Sequence, residues 1–119
     1  MDVQSFAINL TSEQPEPLFQ FYRDVVGLPL NSDMGDHALV LGGATLFVDG
    51  HSATKGAARE PQRALLDLFV GDLAAEQARL EKAGVTFIRN AEREYWGGVI
   101  STFLDPDGNY CQLIEFKPE

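Results

Sequence analysis

The chain has 119 residues, of which 9 are Lys or Arg and 18 are Asp or Glu, and its formal net charge is −9. This length suits a single domain, and a hydrophobic content of 45% excludes a disordered chain. The acidic charge repels phosphate backbones and anionic lipid surfaces, so we expect neither nucleic acid nor a membrane as a partner. It favours cationic or neutral partners.

The cysteine content and the N-terminal residues bear on the cellular compartment. A single cysteine, Cys111, excludes an intramolecular disulfide and any multi-cysteine metal site. The first five residues lack the basic and apolar regions of a secretory signal. No apolar run approaches the roughly 18–20 residues that are needed to span a bilayer. We therefore expect a cytoplasmic protein.

The first half of the chain predicts a strand, a helix and three short strands. Apolar and polar residues alternate over 3–10, which is typical of a strand. Apolar residues at i, i+3, i+4 and i+7 from Leu18 predict a helix that ends near Gly27. The strands that follow are predicted over 28–30, 37–41 and 44–48, the last two joined by a Gly42-Gly43 hairpin turn.

The second half repeats this order after a polar connector over 51–62. A strand is predicted over 64–70, followed by a helix over 73–83 that Asp72 caps and Gly84 ends. The remaining predictions are a strand over 85–88, a charged loop over 90–94, and strands over 99–104 and 110–116 joined by a turn at 105–108. We expect one domain, 1–119, with module one over about 1–50 and module two over 63–119.

One helix in each module can cover only one face of that module's sheet. The other face must be covered by something else, because an exposed apolar sheet face is unstable in water. A ligand cleft, a second sheet and a partner subunit are the three alternatives, and the sequence leaves them open.

Three stretches carry a resemblance to a known family. They are Phe-Tyr-Arg-Asp-Val-Val-Gly-Leu at 21–28, Val-Gly-Asp-Leu at 70–73, and the segment from Gly98 through Asp-Pro-Asp-Gly-Asn at 105–109 to Gln-Leu-Ile-Glu at 112–115. Together they resemble the vicinal-oxygen-chelate superfamily, which includes glyoxalase I, extradiol dioxygenases and bleomycin-resistance proteins. The resemblance implies an α+β fold of two βαβββ modules whose curved mixed sheets enclose a cleft, commonly within a homodimer.

Catalytic members of that superfamily hold a divalent metal with about four side chains, one from each of four strands. The resemblance puts these positions at Ala7, Phe47, Leu65 and Gln112. The first three side chains have no lone pair to donate, and Gln112 is at best a weak neutral ligand. We therefore expect no metal and no other cofactor, as in the metal-free bleomycin-resistance proteins that the chain resembles most in character.

The cleft that the resemblance implies would be mainly apolar and aromatic, with a few polar groups, which is typical of a small-molecule site. Asp67 is either a partner for a cation in the cleft or a solvated carboxylate at a strand end. Trp96, beside two glycines, is either a stacking platform or part of a hairpin or dimer contact. The candidate ligand-binding residues are Asn9, Phe47, Asp67, Phe69, Trp96, Tyr110 and Gln112.

Three functions are consistent with these observations. The first is a metal-free protein that sequesters an aromatic or cationic compound such as an antibiotic, a task that needs affinity but no transition-state chemistry. The second is a lyase, isomerase or dioxygenase-like enzyme of the same fold with a non-standard active site that uses Asp67, Tyr110 or Glu115. The third is an interaction module. We favour the first, and assign no catalytic residue.

Overall fold

A computed structural model describes residues 1–119, which divide into two units, Met1–Gly56 and Ala57–Glu119. Each unit combines a mixed β-sheet with a helical segment, so the prediction of an α+β fold with two mixed sheets is confirmed. None of the helices has the length and apolar character that crossing a membrane requires.

The first unit contains three strands. Its elements are β1 (Ala7–Ser12), α1 (Pro15–Gln20) continued by a π-helix (Phe21–Val26), β2 (Ala38–Leu41) and β3 (Ala44–Gly50). The sheet order is β1-β3-β2, with β1 parallel and β2 antiparallel to β3. The side chains of Leu18, Tyr22, Leu39 and Leu46 are fully buried and form the centre of this unit's core.

Two details of the first unit differ from the prediction. The first strand begins at Ala7 and ends at Ser12, because its six residues pair one to one with Thr45–Gly50 of β3. Residues 28–30 form only a single bridge, between Leu30 and Leu39. The alternation over 3–10 therefore predicted the type of element correctly, but the pairing partner sets its bounds.

The second unit contains four strands. Its elements are β4 (Leu66–Phe69), α2 (Leu73–Lys82), β5 (Phe87–Arg93), β6 (Gly98–Leu104) and β7 (Tyr110–Phe116). The sheet order is β4-β7-β6-β5, and only the β4–β7 pair is parallel. The core of the unit contains Leu73 and Leu80 from α2 with Phe103, Cys111 and Leu113 from the sheet, all at most 4% exposed.

Local side-chain hydrogen bonds fix two boundaries of the second unit as predicted. The Asp72 carboxylate accepts a hydrogen bond from the Ala75 amide at 3.0 Å and caps α2. Asp105 accepts hydrogen bonds from the amides of Asp107 and Asn109, each at 2.9 Å, and so closes the turn between β6 and β7.

The prediction of a charged loop over 90–94 is wrong for most of its length. β5 runs to Arg93 along the edge of the sheet, with irregular pairing between Arg89 and Glu92. Ala91 has a φ of 46°, and its amide donates to the Ser101 hydroxyl instead of to the sheet. Charged residues and a bulge are common on edge strands because they hinder pairing with other chains, which explains the loop-like composition.

Candidate functional site

The sheet of the second unit has two faces, and alternation assigns each residue of a strand to one of them. Ser101 of β6 and Glu115 of β7 face α2, because the Ser101 hydroxyl donates to Gln77 and Glu115 accepts a hydrogen bond from the Leu73 amide at 2.7 Å. The alternate residues of β4, β6 and β7 face the other way. We call this second surface the helix-free face, and its members are Asp67, Phe69, Gly98, Ile100, Thr102, Leu104, Tyr110, Gln112, Ile114 and Phe116.

A polar row crosses the helix-free face near its middle. Asp67 of β4 is the register partner of Gln112 of β7, which is in turn the partner of Thr102 of β6. The Gln112 side-chain amide donates to the Thr102 hydroxyl, with 3.1 Å between Nε2 and Oγ1. Three polar side chains on neighbouring strands therefore lie side by side. Alternation along β4 and along β7 had predicted that Asp67 and Gln112 would be on the same face.

Asp67 is the electrostatic centre of this row. Its side chain is exposed to solvent, as expected for an edge strand, and the modest packing around it raises the pKa of the carboxyl group above the ordinary value, because desolvation disfavours the charged form. No hydrogen bond or ion pair within the protein compensates for that cost, and Arg89, on the opposite edge strand of the sheet, pairs with both Glu92 and Glu94. The carboxylate of Asp67 is therefore left available for a partner from outside the chain.

Apolar and aromatic side chains border the polar row on both sides. Phe69 follows Asp67 by two residues on the same face and leaves 71% of its surface exposed. Its partner Ile114 is buried, and Tyr110 precedes Gln112 by two residues on β7. An acidic group beside an exposed aromatic ring can bind an aromatic cation, because the carboxylate attracts its charge and the ring contacts its planar surface.

Trp96 lies at the end of the helix-free face. Its six-membered ring occupies the space above Gly98 where a β-carbon would project, and the residue remains 41% exposed. A cavity of about 470 Å³ adjoins it, lined by Arg93, Glu94, Tyr95, Trp96, Gly97, Pro118 and Glu119. The free face of the indole ring is accessible for stacking from this side.

The two remaining predicted site residues lie in the first unit. Asn9 and Phe47 are register partners on β1 and β3, on the face of the sheet that also carries Ala7 and Thr45. A cavity of about 430 Å³ lies along this unit, lined by Ser5, Phe6, Ala7, Asn31, Asp33, Met34, Gly43 and Thr45. The seven predicted residues thus form two sets, with Asn9 and Phe47 in the first unit and the other five in the second.

The residues at the four expected metal-ligand positions do not fit a metal ion. Ala7 and Phe47 share one face of the first sheet, but both side chains are hydrocarbon. In the second unit, Leu65 is likewise hydrocarbon, and Gln112 directs its amide nitrogen to Thr102. No group of three or more His, Cys, Asp or Glu side chains in the chain is arranged to hold a metal.

Four other residues with titratable or nucleophilic side chains make contacts that are structural. Cys111 is fully buried in the core. His37 lies edge-on to the Phe19 ring, with 5.5 Å between ring centroids. His51 is exposed and accepts a hydrogen bond from the Ala53 amide. Glu115, the carboxylate considered as an acid or base, is committed to the first turn of α2.

Sequence analysis did not name every member of the helix-free face, and Thr102 and Phe116 are the two omissions that bear on the site. Thr102 is only 3% exposed and supports Gln112, and Phe116 is 61% exposed beside Gly97. Alternation along β6 and β7 assigns both residues to this face. The cross-strand register that places Thr102 beside Gln112 carries no comparable sequence signal.

Comparison with known proteins gives a family and several similar structures. The family model described as "Glyoxalase/Bleomycin resistance protein/Dioxygenase superfamily" matches residues 6–113. TnmS3, an antibiotic binding protein from Streptomyces sp. CB03234, is 27% identical with a TM-score of 0.73, and the match covers 98% of this chain and 97% of that one. No curated protein matches the sequence significantly.

Two further solved structures carry the superfamily's description. The protein from Sphaerobacter thermophilus DSM 20745 is 21% identical with a TM-score of 0.72, and the match covers 97% of this chain and 98% of that one. The enzyme from Burkholderia phytofirmans PsJN is 18% identical with a TM-score of 0.74, with coverages of 92% and 96%. At these identities the two structures establish the fold alone.

Proposed function

The chain belongs to the Glyoxalase/Bleomycin resistance protein/Dioxygenase superfamily, and from this premise we propose that it is a metal-free protein that binds a small aromatic or cationic compound, such as an antibiotic, and sequesters it. The compound would bind on the helix-free face of the second sheet. Asp67 would neutralise its positive charge, and Phe69, Tyr110 and Trp96 would supply aromatic surface.

The observation that carries the proposal is the unpaired carboxylate of Asp67. The side chain is exposed to solvent, so a ligand can reach the carboxylate, and the modest desolvation of a charge is offset when the charge gains a partner. Asp67 has none in the chain, and its pKa is raised accordingly. A bound cation would supply the missing partner, and the exposed ring of Phe69 would add apolar contact.

Two further observations support a cationic ligand. The net charge of −9 attracts cations and raises their local concentration near an acidic face. TnmS3, at 27% identity over nearly the whole chain, is described as an antibiotic binding protein. Sequestration of such a compound requires only affinity, so hydrocarbon side chains at the expected metal-ligand positions are no obstacle to it.

The alternative is an enzyme of the same fold with a non-standard active site, of the lyase, isomerase or dioxygenase-like type. The specific observation in its favour is also Asp67, because a carboxyl group with a raised pKa is suited to general acid–base catalysis. Tyr110 on the same face would be its partner. Glu115 is less suited to that role, because it accepts a hydrogen bond from the Leu73 amide at the start of α2 and pairs with Lys117 at 3.5 Å.

Titration with 9-aminoacridine, a planar aromatic cation, separates the two functions. Isothermal titration calorimetry should show saturable binding that weakens with added salt and falls about tenfold or more in Asp67→Asn. The control Asp36→Asn removes the same charge from an exposed position and should bind as the wild type does. Mass spectrometry should recover the compound unchanged. Absence of binding, or equal affinity in Asp67→Asn, would contradict the proposal, and a converted product would favour the enzyme.

We also propose that the protein is a cytoplasmic homodimer. Large apolar side chains outside the proposed ligand site also remain exposed, which supports a partner surface: Phe6, Leu30 and Tyr95. Native mass spectrometry combined with elemental analysis should give a dimer without stoichiometric metal. A monomer at micromolar concentration would contradict the dimer, and one tightly bound metal per chain would contradict the metal-free proposal.

A further inference from the structure

Two hydrogen-bond acceptors lie side by side at the centre of the helix-free face. Asp67 and Gln112 are register partners on adjacent strands, whose backbones are about 4.8 Å apart. One of the two N–H groups of Gln112 Nε2 donates to the Thr102 hydroxyl, and the Oε1 atom of the amide has no donor from the protein. No buried side-chain oxygen or nitrogen in the protein lacks a partner, and Oε1 is therefore reached by solvent.

On the basis of the proposed function, we infer that the ligand binds this pair through a protonated nitrogen with at least two N–H groups, such as a primary amine or an amidinium. One N–H donates to the Asp67 carboxylate and another to Gln112 Oε1. A quaternary ammonium would neutralise the charge but donate no hydrogen bond. It would leave both acceptors desolvated without a donor, which costs affinity.

No group of the protein competes for these acceptors or favours an anion in their place. Arg89, at the register position next to Thr102, is held by Glu92 and Glu94, the former at 3.4 Å. The Thr102 hydroxyl is 3% exposed and already accepts the Gln112 amide. The row carries a negative charge on Asp67 and an amide oxygen on Gln112, so it favours cationic hydrogen-bond donors and repels carboxylates and phosphates.

The spacing along the strands defines the shape of the ligand beyond its charged group. Phe69 lies two residues from Asp67, or about 7 Å along the strand. Phe116 lies four residues beyond Gln112 along β7, or about 13 Å, and its register partner on β6 is Gly98, against which Trp96 packs. A planar ligand of two or three fused rings anchored at Asp67 would therefore cover Phe69 and extend toward Trp96.

A matched pair of cations tests this inference. 9-Aminoacridine and 10-methylacridinium have the same three-ring system and the same charge, but only the first carries N–H donors. Calorimetric titration of both into the wild-type protein should show about a tenfold or greater preference for 9-aminoacridine. Gln112→Leu removes one acceptor and should reduce that preference, whereas Gln112→Glu restores an acceptor and should retain it.

The outcomes separate this inference from the proposed function. Equal affinity for the two cations, with an equal loss for both in Asp67→Asn, would overturn the requirement for N–H donors and leave the cation-binding proposal standing. A preference that is unchanged in Gln112→Leu would also overturn the paired-acceptor assignment. Failure of both cations to bind would overturn the proposed function together with the inference.

Discussion

Trp96 lies against the α-carbon of Gly98, and its six-membered ring fills the volume that a β-carbon at position 98 would occupy. The contact holds the indole at the end of the helix-free face while 41% of the residue stays exposed. Glycine is required here because of space and not because of its backbone angles, since its φ lies outside the positive region. Gly98 and Trp96 therefore form one unit.

Gly98→Ala should displace the Trp96 ring and destabilise the protein by about 1–3 kcal/mol, the usual cost of overpacking. Displacement exposes the indole to water, so its fluorescence emission should shift to longer wavelength. Gly43→Ala is the matched control, because a β-carbon there would have no atom within 4 Å. The double variant Gly98→Ala with Trp96→Ala should recover part of the stability. Unchanged emission in Gly98→Ala would contradict the packing described.

Asp72→Ala should lower the free energy of unfolding by about 1 kcal/mol, because the Ala75 amide at the start of α2 loses its acceptor. Asp72→Ser keeps a capping oxygen and should retain most of the stability. Urea denaturation of the three proteins measures the difference. A loss in Asp72→Ser as large as that in Asp72→Ala would show that the side-chain cap is not responsible.

Ser101→Ala should cost about 1–3 kcal/mol, since it removes the acceptor of the Ala91 amide and the donor to the Gln77 Oε1 atom. Ser101 is fully buried, so water cannot replace the hydroxyl without rearrangement. Ser52→Ala, in the exposed connector, is the control and should be nearly neutral. Equal stabilities of the two variants in urea would indicate that the bulge of β5 does not depend on this hydroxyl.

The stability of the wild type should depend on pH through Asp67. Burial raises the pKa of this carboxyl group in the folded state above that in the unfolded chain, so the folded protein holds the proton more strongly. The resulting stabilisation is fully present below the unfolded pKa and is lost as the pH rises through the folded pKa. At neutral pH, Asp67→Asn should therefore be slightly more stable than the wild type, by at most about 0.5 kcal/mol.

Thermal denaturation of both proteins over a range of pH tests this expectation. The difference in midpoint should be greatest above the raised pKa and should vanish on acidification, when Asp67 becomes neutral in both states. Asp36→Asn, at an exposed position, controls for the change in net charge. A variant Asp67→Asn that is less stable than the wild type at neutral pH would mean that the carboxylate has a stabilising partner.

Cation binding should have the opposite dependence on pH, because it needs the charged form of Asp67. Affinity for 9-aminoacridine should fall as the pH is lowered through the raised pKa of this group, and the Asp67→Asn variant should show no such fall. Calorimetric titrations of both proteins at several pH values measure how the affinity depends on pH. A fall of equal size in the variant would assign the titration to another group.

Sequence patterns with a local physical cause were sufficient to predict many of the elements of the second unit. β7 spans Tyr110–Phe116 as alternation predicted, and Asp72 and Asp105 bond to amides within four residues of themselves. Such interactions need no distant partner, so their signal is contained in a short window. The placement of Asp67 and Gln112 on one face follows from the same alternation.

Other features depended on residues that are far apart in the chain. The bounds of β1 follow from its pairing with β3, and β5 extends through a charged segment because its pairing with β6 overrides composition. The row of Asp67, Gln112 and Thr102 exists only through the register of three strands, and the bond from Gln112 to Thr102 determines which atom of the amide faces outward. Period-two alternation assigns a residue to a face of its own strand. Only the pairing of the strands decides which residues become neighbours across the sheet.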